Sequence, residues 1–423
     1  MMRSNRVFRL LTIMVQVGLT ILLAMPARAA GREADLPPSI GVNSAVTRVQ
    51  PAADSSSLGP QAYDSLAWFY KPPSDARLAT LAHTYGTFIL TKNDEAERDA
   101  LRDQGVKSAI LQYLRFEAIM DPGSCTAQPW RNQVADRIGD FCWISENHPD
   151  WFLLDQQGQR IYGSDGFVMM DPGNPEWRAF WLERARESQE NLGWFGVFLD
   201  NVEASLEKRE REGQLPARYP DDASYQAAVL EFLRFLHENY FGQNGRPLAA
   251  NIIALRQEQT WFEYLAYLDG AMEEGWGVDW SDGYLSVEAW EAHLQRAERT
   301  QAQGKYAYLV SQGDQNNESR LAFAYASYLL VADGRSAFRY ANDEFYDQSW
   351  LYPLYDLELG EALGPRYQAG AGWRRDFTKA TVWVDPQAHT AMFTPVETPP
   401  APPPPDSFAH ASFVPLVSFG GGG

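Results

Sequence analysis

The sequence predicts an α/β fold: a (β/α)8 TIM barrel with a long insertion after the third strand and a small C-terminal β appendage. Three observations carry this reading. Eight short apolar runs recur along the chain, amphipathic patterns of helical period lie between them, and no Gly-x-Gly-x-x-Gly or Walker-type loop follows any run. Strands alternating with helices build a parallel sheet. Eight such units close into a barrel, and the missing phosphate loops leave a nucleotide-binding sheet unsupported.

The runs are LAWFY (66–70), YGTFILT (85–91), KSAILQYL (107–114), VFLDN (197–201), PLAANII (247–253), LDGAMEE (268–274), YAYLVSQ (306–312) and SAFRYAN (336–342). Helices are predicted over 95–105, 175–191, 225–240, 258–268, 287–304 and 318–334; several stop at a Gly after a charged last turn, as helices do. The interval 115–194 is the insertion, expected to hang over one end of the barrel. Within it, WFLLDQQGQRIYG (151–163) reads as a hairpin turning at Gln157-Gly158. RRDFTKATVWVDPQAHTAMF (374–393) alternates like two antiparallel strands and supplies the appendage.

The ends read differently. Arg3, Arg6 and Arg9 precede an apolar run (10–25), and Ala27-Arg28-Ala29 follows it. This pattern predicts a secretory leader, residues 1–29, cleaved after Ala29. The run is short for a membrane span, and no other long apolar run exists, so the mature chain is expected to have no transmembrane span. Residues 30–60 read as a flexible lead-in, 61–345 as the barrel and 346–393 as the appendage. Residues 394–423 read as a disordered Pro-rich tail: TPVETPPAPPPPD (394–406) is a polyproline spacer, and FVPLV (413–417) reads as a sorting or surface-attachment segment. The protein is therefore expected to be secreted or held at the cell surface.

The formal net charge is −19, and −23 once the four leader arginines are removed. A nucleic-acid partner needs a basic face, so this class is excluded. Cys125 and Cys142 bracket a short loop in an exported chain, and a disulfide between them is expected. The six histidines form no His-x-x-x-His or similar pair, and no Gly-x-Ser-x-Gly occurs. Zinc hydrolysis and serine-esterase chemistry thus lack their residues. No cofactor and no metal is expected.

In a parallel barrel the C-terminal strand ends share one face, and chemistry is placed there. The predicted ends carry Lys71 (first), Lys92 (second), Tyr113 and Arg115 (third), Asp200 and Asn201 (fourth), Asn251 (fifth), Glu273 and Glu274 (sixth), Gln312 (seventh), and Tyr340 and Asn342 (eighth). Two ends bear acid; most others bear hydrogen-bonding groups suited to hydroxyls. Trp68, Trp194, Trp276 and Trp280 lie on or beside these strands. Rings beside acids and amides suit a carbohydrate. Glycoside hydrolysis needs two carboxyl groups, and Asp200 with Glu274 or Glu273 supplies them. The alternatives are a helix cap for Asp200 and a solvated or Arg-bound Glu pair. Glu203 reads as a loop or helix-start residue. His148 and Asp171, in the insertion, are further candidates to line the cleft.

WFYKPP (68–73), HPDWFLLDQQG (148–158), MDPGNPEWR (170–178), GVFLDNVEAS (196–205), DGAMEEGW (269–276) and DLELGEALGP (356–365) together resemble the bacterial glycosyl hydrolases grouped as hypothetical glycosyl hydrolase family 15. The resemblance covers most of 61–393 and implies a TIM barrel and a glycosidase. The plan is also similar to dextranase-type and α-galactosidase-type barrels, with a nucleophilic Asp at the fourth strand end and an acid at the sixth. Carried over, that makes Asp200 the nucleophile and Glu274 the acid, with Glu273 the alternate, and it implies retention of configuration. A non-catalytic polysaccharide-binding or adhesin-like barrel is the competing class.

Overall fold

The computed structural model describes residues 65–163 and 166–396. Its strands are β1 (Ala67–Phe69), β2 (Thr87–Leu90), β3 (Ile110–Arg115), β4 (Ala118–Met120), β5 (Phe167–Met169), β6 (Val197–Glu203), β7 (Leu248–Ile253), β8 (Gly270–Glu273), β9 (Tyr306–Gln312), β10 (Ser336–Ala341), β11 (Tyr367–Ala369), β12 (Gly372–Asp376), β13 (Ala380–Asp385) and β14 (Thr390–Pro395). Its α-helices are α1 (Leu78–Thr84), α2 (Glu95–Asp103), α3 (Asp140–Asn147), α4 (Pro175–Asn191), α5 (Glu207–Glu212), α6 (Asp222–Leu236), α7 (Glu258–Leu265), α8 (Val287–Ala302) and α9 (Glu318–Val331).

Eight strands form one parallel sheet in the order β1-β2-β3-β6-β7-β8-β9-β10. The ring closes where Leu66 bridges Phe338 in parallel and the Phe338 N–H donates to the Ser65 carbonyl at 2.9 Å. All eight predicted runs lie in this sheet, and the chain is a (β/α)8 barrel.

The two-residue strand period decides what faces inward. Leu111 and Tyr113 of β3, Phe198 of β6, Ala249 of β7, Met272 of β8, and Tyr306, Tyr308 and Val310 of β9 form one buried cluster, the barrel interior. Their alternates Val197, Leu199, Leu248 and Ala250 pack with the surrounding helices instead. Each buried Val or Leu of this kind contributes about 1.5–3 kcal/mol relative to exposure. Gly196 opens β6 at φ 105°, and a Cβ there would lie 2.7 Å from the Pro247 carbonyl oxygen. Only glycine lets β6 and β7 approach so closely at that point.

Local chemistry sets the helix starts. Asn174 Oδ1 accepts the Glu176 and Trp177 N–H groups at 2.9 and 3.1 Å, with Pro175 at the first helical position of α4. Asp221 and Ser224 form a reciprocal capping box on α6. Helices α1, α3 and α5 were not predicted, and none has a side-chain N-cap. The α5 sequence, EKRERE, has no apolar stripe at all.

The insertion carries the antiparallel pair β4–β5 and the expected hairpin, in which Leu154 bridges Arg160 and the Gly158 N–H donates to Asp155 at 3.0 Å. It reaches the third strand end: the Arg115 N–H donates to the Asn132 carbonyl at 2.9 Å, and the Trp130 ring stands edge-on to Tyr113 at 6.0 Å. The appendage is a four-stranded antiparallel sheet, β11-β12-β13-β14, larger than the two strands expected. Ala380, Val382 and Val384 of β13 pack in the cluster that holds α9. Arg375 ties the sheet down by donating to the Leu329 and Ala332 carbonyls at 3.0 and 2.6 Å.

Cys125 and Cys142 are joined, with Cα atoms 5.6 Å apart, inside the usual span of about 4.4–6.8 Å. Titration of the unfolded, unreduced protein should therefore find no free thiol; two per chain would contradict the bridge. No helix among the described residues is long and apolar enough to cross a membrane. The expected leader, all of the lead-in and all of the tail beyond 396 lie outside the described residues.

Candidate active site

Alternation within the barrel brings one set of predicted residues together. Asp200 follows inward-facing Phe198 by two residues, Asn251 follows Ala249, Glu274 follows Met272, and Gln312 follows Val310. All four therefore lie inward at the C-terminal mouth.

Asn251 is their hub. Its Nδ2 donates to Asp200 Oδ1 at 3.2 Å and to Glu274 Oε2 at 2.6 Å. Those two carboxyl oxygens are thus no further apart than the two bonds laid end to end, about 5.8 Å. The other Asp200 oxygen accepts the Tyr113 hydroxyl. Glu274 Oε1 accepts the Tyr346 hydroxyl at 2.8 Å, and Gln312 Nε2 donates to that same hydroxyl. Asn251 itself is 1% exposed, while both acids are half-buried. The acids are rigidly held yet reachable.

Their environments differ. Burial, then the Asp200 charge, pushes the Glu274 carboxyl up to about 8, although the Tyr346 and Asn251 hydrogen bonds pull the other way. Glu274 is thereby suited to carry a proton near neutral pH. Asp200 accepts from an O–H and an N–H donor. Aromatic rings surround the pair. Tyr70 stacks on Tyr113 at 4.8 Å, and burial followed by the charges of Asp200 and Glu274 pushes its hydroxyl up to about 12.

Glu273 faces the other way. Arg296 of α8 forms an ion pair with it, and His293 Nε2 lies 4.0 Å away. Burial alone would raise its pKa, but His293 and Arg296 outweigh that and the net shift is downward. It is an Arg-bound carboxylate on the helix side of β8.

The remaining predicted residues are placed elsewhere or act indirectly. Arg115 donates to Glu117 Oε1 at 2.8 and 3.0 Å, and Asn201 Nδ2 reaches the same oxygen at 3.2 Å. Glu117 was not singled out from the sequence. It is fully enclosed, and burial raises its carboxyl to about 7 against the pull of Arg115. Lys71 is exposed, its Nζ 5.0 Å from the Tyr70 ring centre. Lys92 pairs with Asp136 at 2.5 Å. His148 stacks on Trp151 at 4.0 Å, and Asp171 accepts from Tyr219 and Arg218; both are occupied within and beside the insertion. Tyr340 donates to the Asp314 and Asn317 carbonyls at 3.2 and 3.4 Å. Asn342 caps the turn Asp343–Phe345.

Trp68, Trp194 and Trp276 are core residues, at most 1% exposed, and the Trp276 Nε1–H donates to the Ala324 carbonyl at 3.3 Å. Trp280 is exposed. Glu203, expected in a loop, ends β6 instead; it is fully buried and paired with Arg209 at 3.1 Å. Tyr346 is the site residue that strand-end reasoning left out, and Tyr70 was read as a strand end without being given a role. Tyr346 lies beyond β10, where no strand period points to it. Tyr70 ends the predicted first run beside Lys71. Among the described residues no cluster of three or more His, Cys, Asp or Glu is arranged to hold a metal ion.

Two carboxyl groups bridged by one amide at the C-terminal mouth of a (β/α)8 barrel are the arrangement that glycoside hydrolysis needs. The chain belongs to hypothetical glycosyl hydrolase family 15, whose model matches residues 109–381, and this places it among the glycosidases. Solved structures similar to it include the glycoside hydrolase domain of PelA from Pseudomonas aeruginosa, with 18% identity, 68% of this chain and 97% of that chain covered, and a TM-score of 0.47. A noncanonic maltogenic alpha-amylase, AmyB from Thermotoga neapolitana, has 12% identity, 77% and 87% coverage, and a TM-score of 0.45. No curated protein matches the chain.

Proposed function

We propose that the protein is a secreted, retaining glycoside hydrolase acting on a poly- or oligosaccharide, with Asp200 as nucleophile and Glu274 as general acid/base. The observation that carries this is the Asn251 amide bridging the two acids. It supports a separation near the roughly 5–5.5 Å of retaining enzymes, below the roughly 6.5–9.5 Å that leaves room for an attacking water. In the first step Asp200 attacks the anomeric carbon while Glu274 gives its proton to the leaving oxygen, and a glycosyl ester forms. In the second, the Glu274 carboxylate takes a proton from water, which attacks the same carbon and releases Asp200. Tyr70, half-buried and backed by the stacked ring of Tyr113, offers a ring face beside the reacting sugar. The Cys125–Cys142 bridge and the leader-like start favour work outside the cytoplasm, at the cell surface if the tail attaches there.

Turnover on a panel of glycans, measured against pH, tests this reading. Glu274 is protonated below its pKa and ionised above it, so kcat/KM should fall as pH rises through about 8. The Tyr346 hydroxyl lowers the Glu274 pKa, so Tyr346→Phe should move that basic limb to higher pH. A limb that stays put, or moves down, would contradict the assignment of the acid. Binding without turnover on any glycan would favour the adhesin-like alternative.

A further inference from the structure

The loops that follow β9 and β10 line an open cavity of about 560 Å³, whose walls include Asp314, Asn316, Asn317, Asn342, Phe345 and Gln348. Its size falls in the roughly 300–1,000 Å³ range of ligand clefts. Three of its amides are oriented by their oxygens. Asn317 Oδ1 accepts the Arg320 N–H at 3.1 Å, Asn342 Oδ1 accepts the Glu344 N–H at 3.0 Å, and Gln348 Oε1 accepts the Trp350 Nε1–H at 3.2 Å. Each NH2 group is then left with no acceptor among the described residues. Asp314 adds an acceptor, and Phe345, 41% exposed, adds a ring. Donors for hydroxyl oxygens, a carboxylate for hydroxyl hydrogens and a ring for a C–H face together match a pyranose. Asp314 is the one charged side chain in the described lining, which disfavours an anionic sugar.

The cavity lies on the Glu274 side of the catalytic pair. Phe345 directly precedes Tyr346, whose hydroxyl holds Glu274, and Gln312, which donates to that hydroxyl, directly precedes the loop that carries Asp314. A general acid protonates the leaving oxygen, so the leaving group departs on the acid's side. We propose that this cavity is a subsite for the leaving-group sugar of a hydroxyl-rich, non-anionic glycan, and that the enzyme cuts between sugar residues of a chain rather than releasing a non-sugar aglycone. The proposal rests on the glycosidase reading above.

Phe345→Ala and Asn316→Ala test it, since neither side chain makes an intramolecular hydrogen bond among the described residues. For each, kcat/KM is measured on the glycan that the wild-type enzyme cuts and on the 4-nitrophenyl glycoside of the sugar it releases. The ratio of chain to aryl-glycoside kcat/KM should fall about tenfold or more for Phe345→Ala and severalfold for Asn316→Ala. Ratios within twofold of wild type for both variants would overturn the subsite. If Phe345→Ala fails to fold, Asn316→Ala, in an exposed loop, decides alone. The wild type run in parallel separates the two ideas: binding without turnover on every glycan sinks the glycosidase reading, whereas an active wild type, silenced by Asp200→Asn, with unchanged ratios in the two variants sinks only the subsite.

Discussion

Asp200→Asn is expected to lower kcat by about a thousandfold or more on any glycan the wild-type protein hydrolyses. The amide oxygen cannot form the glycosyl ester, so the first step loses its nucleophile. The fold should survive. Asn is isosteric with Asp, and its oxygen can still accept from Tyr113 or Asn251, the two groups that hold the position now. Melting temperature and glycan affinity should therefore stay close to wild type. Kinetics on soluble substrate, with a melting curve on the same preparation, checks both parts. Turnover near wild type would remove Asp200 from the mechanism and assign the nucleophile to another residue.

Glu274→Gln should lower kcat about 10²–10⁴-fold on substrates with poor leaving groups, the usual worth of general acid catalysis, and far less on activated aryl glycosides. It should also abolish the basic limb of the pH profile. A second consequence concerns stability. The Glu274 carboxyl is raised above its unfolded value, so its contribution is complete below that value and is lost as pH rises through about 8. At pH 9 wild type holds an ionised carboxylate beside Asp200, with its attendant desolvation. Glu274→Gln should melt at a higher temperature than wild type at that pH, and the gap should close towards pH 5. A gain in stability with a loss of rate is the signature of a group held for chemistry. Equal loss on all substrates, with no change in the pH limb, would point to disturbed packing instead.

The barrel was legible because its strands are short apolar runs separated by helices of strong period. All eight runs became sheet strands in chain order. Helices α1, α3 and α5 are only seven, eight and six residues long and have no capping side chain, and α5 has no apolar stripe either, so they carried little signal. Within the site, Asp200 and Asn251 could be read from the strand ends. The choice within Glu273-Glu274 could not be made from proximity to the strand end, but the pleat decides it. Met272 is inside, so Glu274 is inside and Glu273 meets Arg296 of α8. Trp276 misled for a physical reason: a Trp beside an acid reads as a sugar platform, yet this one is completely buried near α9. His148 and Asp171 looked like cleft residues because they sit in conspicuous local motifs, but those motifs build the insertion's own packing. Tyr346 reaches Glu274 from a loop, and only the folded chain reveals it.

The claim that Asp200 forms a covalent intermediate can be tested by mass spectrometry after incubation with a 2-deoxy-2-fluoro glycoside of the sugar that the wild-type enzyme releases. The fluorine slows both formation and hydrolysis of the ester, and an activated leaving group such as dinitrophenolate restores formation alone, so the intermediate accumulates. One glycosyl unit per chain is expected, mapped to the peptide that contains Asp200 and absent from Asp200→Asn. A label mapped to Glu274 or Glu117, or an active enzyme that takes no label and releases sugar of inverted anomeric configuration, would contradict the account.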